Sequence, residues 1–519
     1  MYKLGIDVGG TNTDAVLIDE NLHVAADIKF PTSEDIYDGI LGALREVLKV
    51  SGIRREEIGQ AMLGTTQCTN AIVERKNLAP IGILRIGAPA TLSIPPMVDW
   101  AEEISRIAEG TVIVGGGFEY DGKELSPFDK EKAAQFFREM KEKGVKSIAI
   151  SCVFSTVRNE HELEAAKLCR EIMGEDVHIS ISSEIGSMGL IERENATILN
   201  AALWRVAEQF TEGFAKSLAE EGITDADIYL SQNDGTLMTM EHARKYPILT
   251  VACGPTNSIR GASYLSGLKD AIVVDVGGTT TDFGVIQNSF PRESSVAVTI
   301  GGVRTNFRMP DIISIGLGGG SIVREKENGE VTVGPDSVGY EITEKALIFG
   351  GDVMTATDIA VRLNMADIGD ASKVEKIPLA FAEKAMEVIR QMAEEGIDTM
   401  KVSNADCEVV LVGGGSIILP EDIKGAAAVR KPEHFGCANA IGSAISKVSG
   451  TLEKLINYDE TPRDEALAKA KEEAKELAAA AGAVPETIEI IEVEDVPLAY
   501  YQGNTNRVKV KAAGELGTG

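Results

Sequence analysis

The chain has 519 residues, room for about three to four units at ~150 residues each. Hydrophobic residues make up 44% and charged residues 25%, the balance of a globular protein able to bury large cores. With 51 basic and 80 acidic residues the formal charge is −29, so its overall field excludes attraction to nucleic-acid backbones or anionic membranes.

A local basic pocket for a small anion remains compatible with that charge. The six cysteines (Cys68, Cys152, Cys169, Cys253, Cys407, Cys437) form no C-x-x-C pair. The N-terminus has no secretory pattern, and no apolar run reaches the ~18 residues of a membrane span. The expectation is a cytoplasmic protein with free, mostly buried thiols.

In chain order, residues 2–8 and 14–19 read as strands around a glycine turn. Residues 36–50 carry Ile36, Ile40, Leu44, Val47 and Leu48 at helical spacing, which predicts an amphipathic helix. Residues 145–154 read as a buried strand, flanked by helical composition over 129–143 and 160–173. Residues 196–219 read as helix. Residues 271–276 and 283–286 repeat the opening strand-turn-strand theme. Residues 376–395 are helical in pattern, and 408–412 form a short apolar strand ending in three glycines. A helix over 461–481, with Pro462 near its start, precedes strand candidates 487–493 and 506–511. Strand-helix alternation of this kind predicts α/β layers.

The decisive pattern is a duplicated octet. Residues 7–14 read Asp-Val-Gly-Gly-Thr-Asn-Thr-Asp, and residues 275–282 read Asp-Val-Gly-Gly-Thr-Thr-Thr-Asp. Each lies between two strand-like runs. Paired glycines let a turn bring N–H groups close to oxygen atoms, and threonines add hydroxyl donors. Gly9, Gly10, Thr11, Asn12 and Thr13, with Gly277, Gly278, Thr279 and Thr280, are therefore candidate phosphate contacts. Thr11 and Thr13 alternate along the backbone, as do Thr279 and Thr281, so only one of each pair is expected to face phosphate. Asp7 and Asp275 end their strands and are candidates to organise Mg²⁺ through its waters. Capping of the strand ends is the alternative. Asp14 and Asp282 close the hairpins, where they would orient an attacking water, position a substrate oxygen, or simply complete a turn. Each hairpin leads into a strand and no G-x-x-x-x-G-K-[ST] is present, so this is not a P-loop.

The two hairpins resemble the phosphate loops of the actin and sugar-kinase superfamily. Gly413, Gly414, Gly415 and Ser416 follow a short strand, as the adenosine-contacting turn does there. That resemblance implies a two-lobed actin-like ATPase fold (ribonuclease H-like, duplicated) with ATP and Mg²⁺ deep in the cleft. On this reading residues 1–195 form a lobe with the first hairpin. Residues 196–455 form a second lobe with the second hairpin, and 456–519 a small C-terminal α/β appendage.

Further motifs narrow the resemblance. They are Gly-Thr-Thr-Gln-Cys-Thr-Asn at 64–70, Asn-Glu-His-Glu at 159–162, Glu-Arg-Glu-Asn at 192–195, Gly-Leu-Gly-Gly-Gly-Ser at 316–321 and Thr357-Asp358. In this order they resemble the hydantoinase A/oxoprolinase family over roughly residues 3–450. The family implies ATP-dependent opening of a cyclic amide, such as a hydantoin or 5-oxoproline, by phosphorylation of its carbonyl oxygen. In many members a separate B-type subunit, or a fused half, completes the reaction, so the resemblance allows a B-type partner, and a homo- or hetero-oligomer is expected. The family's ketone carboxylase subunits leave carbonyl activation for a carboxylase open, and the fold leaves open a nucleotide-switched regulatory or assembly protein.

The resemblance marks Thr65, Thr66 and Asn70 as substrate or phosphate contacts, where N-capping of the next helix is the alternative. Gly318 and Gly319 would line the nucleotide cleft as an anion cradle or act as a hinge. Asp358 is carried by the resemblance, against a helix cap. His161 reads as a helix-start histidine with a structural bond, with a general base or metal ligand as the alternative. The sequence departs from the family pattern at Asn159-Glu160, at 254–258 (Gly-Pro-Thr-Asn-Ser) and at 338–341.

Overall fold

The computed structural model describes residues 1–10, 12–32, 36–294, 298–307, 309–498 and 503–517. The two octets build the same unit twice. Tyr2–Val8 and Asn12–Ile18 form an antiparallel hairpin, Ile58–Thr65 runs parallel to Tyr2–Val8, and Asp227–Ser231 runs parallel to Ile58–Thr65. In a second sheet Ala271–Val276 and Thr281–Gln287 form the hairpin, with Cys407–Val412 and then Ala426–Arg430 added in parallel. The register sets Asp7 opposite Asp14 and Asp275 opposite Asp282. These central strands are covered on both faces, which is why they read as continuous apolar runs. Leu4, Ile6, Val8, Val274 and Val276 have no exposed surface. This is the two-lobed, duplicated α/β architecture that the hairpins imply.

The lobes meet through two crossing helices. Cys253–Ser266 packs on the second sheet and Ala438–Ala444 on the first. Two glycines permit the crossing. A Cβ on Gly261 would lie 1.9 Å from the Ala438 carbonyl oxygen, and one on Gly442 would lie 1.9 Å from that of Asn257.

A third sheet of four parallel strands (Ala108–Gly115, Ile81–Ala88, Ser147–Cys152, His178–Ile181) carries the helices Lys130–Glu142 and Glu160–Met173. Arg85 ties it to the helix Leu190–Ala202. Its Nε donates to Glu194 Oε2 at 2.7 Å, its second terminal nitrogen reaches Oε1, and Ser151 Oγ donates to Oε2 at 2.6 Å. The Glu-Arg-Glu-Asn stretch thus includes a buried structural ion pair. His161 is structural as expected: Nδ1 accepts from the Gly117 N–H at 3.0 Å and the ring stacks on Phe118.

At the C-terminal end, Lys447–Asn457, Thr505–Gly514 and Glu489–Pro497 extend the first sheet beyond Thr236–Thr239, so that sheet has nine strands. The helix Arg463–Ala480 lays Ala466, Ala470, Ala474 and Ala478 against them, a small-residue stripe at i, i+4 spacing. Lys509 and Lys511 are buried there. Lys511 Nζ lies 2.8 Å from Asp234 Oδ2 and 3.2 Å from Glu293 Oε1, and Lys509 Nζ lies 2.7 Å from Glu293 Oε2.

The expected helices over 36–50, 129–143, 160–173 and 461–481 form at Ile36–Ser51, Lys130–Glu142, Glu160–Met173 and Arg463–Ala480. The run over 196–219 divides into Leu190–Ala202 and Trp204–Glu220. Residue 195 falls inside the first of these helices, and residue 455 inside the strand Lys447–Asn457. None of the six cysteines is in a disulfide, and five are buried. No described helix is long and apolar enough to cross a membrane.

Candidate functional site

The ends of the two hairpins face one another, and four carboxylates converge. Asp7 and Asp14 are buried. Asp275 and Asp282 keep some exposure but are crowded by protein on their other sides. Burial first, then the Asp14 and Asp275 charges, push Asp7 up to about 7, although an amide from Asn257 favours its ionised form. Burial likewise pushes Asp282 up to about 7; the Ser314 hydroxyl opposes the shift and Asp275 adds to it. Asp14 and Asp275 are also raised by burial, with Lys29 opposing the shift in both. Such a cluster is a set of negative charges short of a cation.

The lobe-crossing helices supply the partners. Asn439 Nδ2 donates to Asp7 Oδ2 at 3.0 Å. Ser258 Oγ donates to Asp275 Oδ2, and Asn257, one residue earlier on the same helix, faces Asp7 across Gly64. Asp7 Oδ1 has no hydrogen bond of good geometry, nor does the side chain of Asn257. One helix therefore reaches an aspartate of each hairpin. These residues belong to the 254–258 stretch that departs from the family pattern.

The hairpin turns match. The Gly9 N–H donates to the Asn12 carbonyl at 3.0 Å, and the Gly277 N–H to that of Thr280 at 2.9 Å. A Cβ on Gly10 would enter open space, which leaves the turn approachable from outside. Thr279 and Thr280 are exposed at the second turn. Thr11 lies outside the described residues. Thr13 does not face the cleft: it is fully buried, and its hydroxyl is 3.3 Å from that of Thr32, which donates to the Gly9 carbonyl at 2.9 Å. Thr281 is buried in the same way and donates to the Leu317 carbonyl at 2.6 Å. The strand pleat turns these two threonines inward.

The third glycine turn is part of the convergence. Gly413 has φ +84°, and a Cβ there would lie 2.2 Å from Asp275 Oδ1. One on Gly415 would lie 2.2 Å from the Gly277 carbonyl oxygen. Gly414 is exposed and faces Lys29 of the other lobe. Ser416 Oγ is buried and has no hydrogen-bond partner.

Gly318 and Gly319 take a different role from the anion cradle expected of them. Their N–H groups are spent, Gly318 on Ser321 Oγ at 2.8 Å and Gly319 on the Gly277 carbonyl at 3.0 Å. The segment braces the second hairpin, and Thr357 Oγ1 anchors it by donating to the Gly319 carbonyl at 2.8 Å. Asp358 accepts from the N–H groups of Ile348 and Thr355 and completes a capping box with Thr355, so it is a helix-start residue away from the cleft.

Thr65 and Thr66 end the strand beside Tyr2–Val8. Thr66 stands at the N-cap of Gln67–Glu74 but its side chain does not cap. Thr66 Oγ1 donates instead to the Val8 carbonyl at 3.3 Å and accepts from Asn70 Nδ2 at 3.4 Å. Thr65 Oγ1 accepts from the Gln67 N–H at 3.2 Å. Asn70 and Gln67 also line a cleft of about 880 Å³ between this helix and Trp204–Glu220. Its polar lining is mixed, with the amides Asn77 and Gln209 beside the charged Glu74, Lys76, Glu212 and Lys216.

A model of the hydantoinase/oxoprolinase N-terminal region matches residues 3–173, and one of hydantoinase/oxoprolinase matches residues 193–400, together well over half of the chain. The chain belongs to the hydantoinase/oxoprolinase family. Among family relatives it is 27% identical over 436 residues to the acetophenone carboxylase gamma subunit of Aromatoleum aromaticum, covering 77% of this chain and 58% of that one. It is 27% identical over 402 residues to the caprolactamase subunit alpha of Pseudomonas jessenii, covering 70% and 54%. With 5-oxoprolinase 1 of Arabidopsis thaliana it shares 28% identity over 326 residues, 57% of this chain and 25% of that one. The chain thus spans little more than half the length of the first two and a quarter of the third. In fold it is similar to the ATP-dependent caprolactamase of P. jessenii (TM-score 0.79, 20% identity, 99% of this chain and 88% of that one) and to nucleotide-free acetone carboxylase (0.70, 18%, 99% and 88%).

Within this hydantoinase/oxoprolinase chain, Lys29, Asn257, Ser258, Ser314 and Asn439 touch the aspartates without being singled out one by one in the sequence. The departure at 254–258 marks the segment that holds two of them.

Proposed function

We propose that this chain is an ATP-dependent enzyme that opens a cyclic amide of hydantoin or 5-oxoproline type by phosphorylating its carbonyl oxygen. The observation that carries the reading is the convergence of two matched Asp-Val-Gly-Gly hairpins, four carboxylates included, in a chain of the hydantoinase/oxoprolinase family. The open face at Gly10, the exposed Gly414 and the partnerless oxygens of Asp7 and Ser416 fit a polyphosphate and its cation. Among the described residues no group of three or more His, Cys, Asp or Glu side chains is set to hold a metal. Mg²⁺ bound with a nucleotide takes one or two carboxylates, waters and phosphate oxygens rather than a full protein cage. Asp7 and Asp275 would hold it, and Mg²⁺ would supply charge neutralisation at the phosphates.

The residues then divide the work. The hairpin turns orient the phosphates in line with the acceptor oxygen. Thr66 and Asn70, which reach the first hairpin through the Val8 carbonyl, would contact the ring. Transfer of the phosphoryl group to the amide oxygen makes the ring carbon electrophilic. Water adds there, the ring C–N bond breaks, and a second water releases phosphate. Asp14 and Asp282 stand at the hairpin ends to take the proton of an attacking water.

The test is Mg²⁺-dependent ADP release by the purified chain across a panel of lactams and hydantoins, with and without a B-type subunit, beside Asp275→Ala. Amide-stimulated turnover lost in the variant supports the reading; no stimulation under either condition refutes it. A second reading, carbonyl activation for a ketone carboxylase, is favoured by the alignment with the acetophenone carboxylase gamma subunit over 77% of this chain. Bicarbonate-dependent turnover of a ketone, without amide hydrolysis, would select it.

A further inference from the structure

Lys29 is a cation placed among carboxylates at the seam of the two lobes. It lies on the strand Val24–Pro31, in register with Asp14 on the adjacent hairpin strand. Its Nζ donates to Asp14 Oδ1 at 2.6 Å. Asp14 is buried, whereas the Lys29 side chain keeps 35% of its surface exposed. The ammonium also feels Asp7 and Asp275, so its charge is shared among an aspartate of each hairpin end. Across the cleft it meets the third glycine turn. A Cβ on Gly414 would lie 3.6 Å from Lys29 Cε and 4.0 Å from Nζ, so glycine there keeps the space around the ammonium open.

An ammonium has three N–H donors, and Asp14 takes one of them. A lysine tip is a compact charge on a flexible stem, able to change partner without moving the backbone. A polyphosphate entering between the hairpins brings more negative charge than the single Asp14 carboxylate and more acceptor oxygens.

We propose that Lys29 is a phosphate-binding residue, parked on Asp14 while the cleft is empty and taken over by a nucleotide phosphate on binding. The exchange leaves the Asp14 carboxylate without its ammonium beside the bound phosphates. Phosphate binding and the Lys29–Asp14 ion pair are then competitors, and each weakens the other. This inference rests on the nucleotide reading above.

The experiment is calorimetric titration of the full chain with Mg²⁺ and a non-hydrolysable ATP analogue, with adenosine as the control ligand. Lys29→Met is expected to weaken the analogue by about 10- to 100-fold, the loss of one charge-assisted contact, and to leave adenosine unchanged. Lys29→Arg is expected to recover most of the affinity. Asp14→Asn removes the competitor and is expected to tighten the analogue several-fold. The paired variant Lys29→Met/Asp14→Asn leaves no buried charge unpaired, so it stays folded if Lys29→Met does not, and is expected to bind as weakly as Lys29→Met. The inference is overturned if Lys29→Met or the paired variant binds the analogue within two-fold of the unaltered chain. It is equally overturned if Asp14→Asn weakens binding, because Lys29 would then serve only to neutralise that carboxylate. Absence of analogue binding by the unaltered chain would instead sink the nucleotide reading itself, and this inference with it.

Discussion

Asp7 shows what the site costs. Its folded-state carboxyl sits at about 7, well above an ordinary aspartate, so between about pH 4 and pH 7 the native chain holds a proton that the unfolded chain has lost. That contribution to stability is present at low pH and is lost as pH rises through 7. Asp7→Asn keeps an oxygen for Asn439 and carries no charge to desolvate. We expect it to be more stable than the unaltered chain at pH 8, on the order of a few kcal/mol, with the gain shrinking to under about 1 kcal/mol by pH 4. Urea unfolding at the two pH values measures this, and a gain that is flat or falls with pH would contradict it. The same substitution should lower turnover by at least about 100-fold, the exchange of stability against activity common at catalytic carboxylates. The four aspartates were legible in the sequence because the octet is repeated and each copy is local. Lys29, Ser258 and Asn439 were not, because strand register and a helix crossing bring them to the aspartates from distant positions. Thr13 was misread because only the pleat decides which of two alternating threonines faces out.

At the scale of elements, backbone approach decides which glycines matter. A methyl group on Gly442 would strike the Asn257 carbonyl, so Gly442→Ala must push apart the helices that carry Asn439, Asn257 and Ser258. We expect a loss of about 1–3 kcal/mol in urea unfolding, with weakened nucleotide binding as a second consequence. Gly213→Ala is the contrast. It lies in the helix Trp204–Glu220 with nothing within 4 Å of the new methyl, so it should be neutral or stabilising by up to about 1 kcal/mol. Equal losses in the two variants would refute the argument. Amphipathic helices such as Ile36–Ser51 were readable from their period alone, because one face meets a sheet and the other water. The strand Lys447–Asn457 was missed, since it is partly exposed and carries charged residues, so it lacks the apolar run that marks a covered strand.

For the whole molecule, buried charge joins the C-terminal strand to the rest. Burial alone would raise the Asp234 carboxyl, yet the Lys511 ammonium holds it below the usual range. Lys511→Met would strand Asp234 and weaken the tie to Glu293, at a cost of about 3–5 kcal/mol. A melting temperature unchanged by Lys511→Met would show that the C-terminal strands are held by apolar packing alone. The tie spans the two lobes, because Glu293 follows the edge strand Phe290–Pro291 of the second sheet.

The outer strand Glu489–Pro497 ends the nine-stranded sheet and has no further strand beside it among the described residues. An open edge of that length is a template for another copy of itself, and Val493 and Val496 are partly exposed on it. The strand also carries Glu489, Glu492, Glu494 and Asp495 and closes on Pro497. Glu492, Glu494 and Asp495 are already paired with Lys509, Arg507 and Arg463, so it is Pro497, which has no N–H to offer a neighbour, that blunts this border against pairing with another copy.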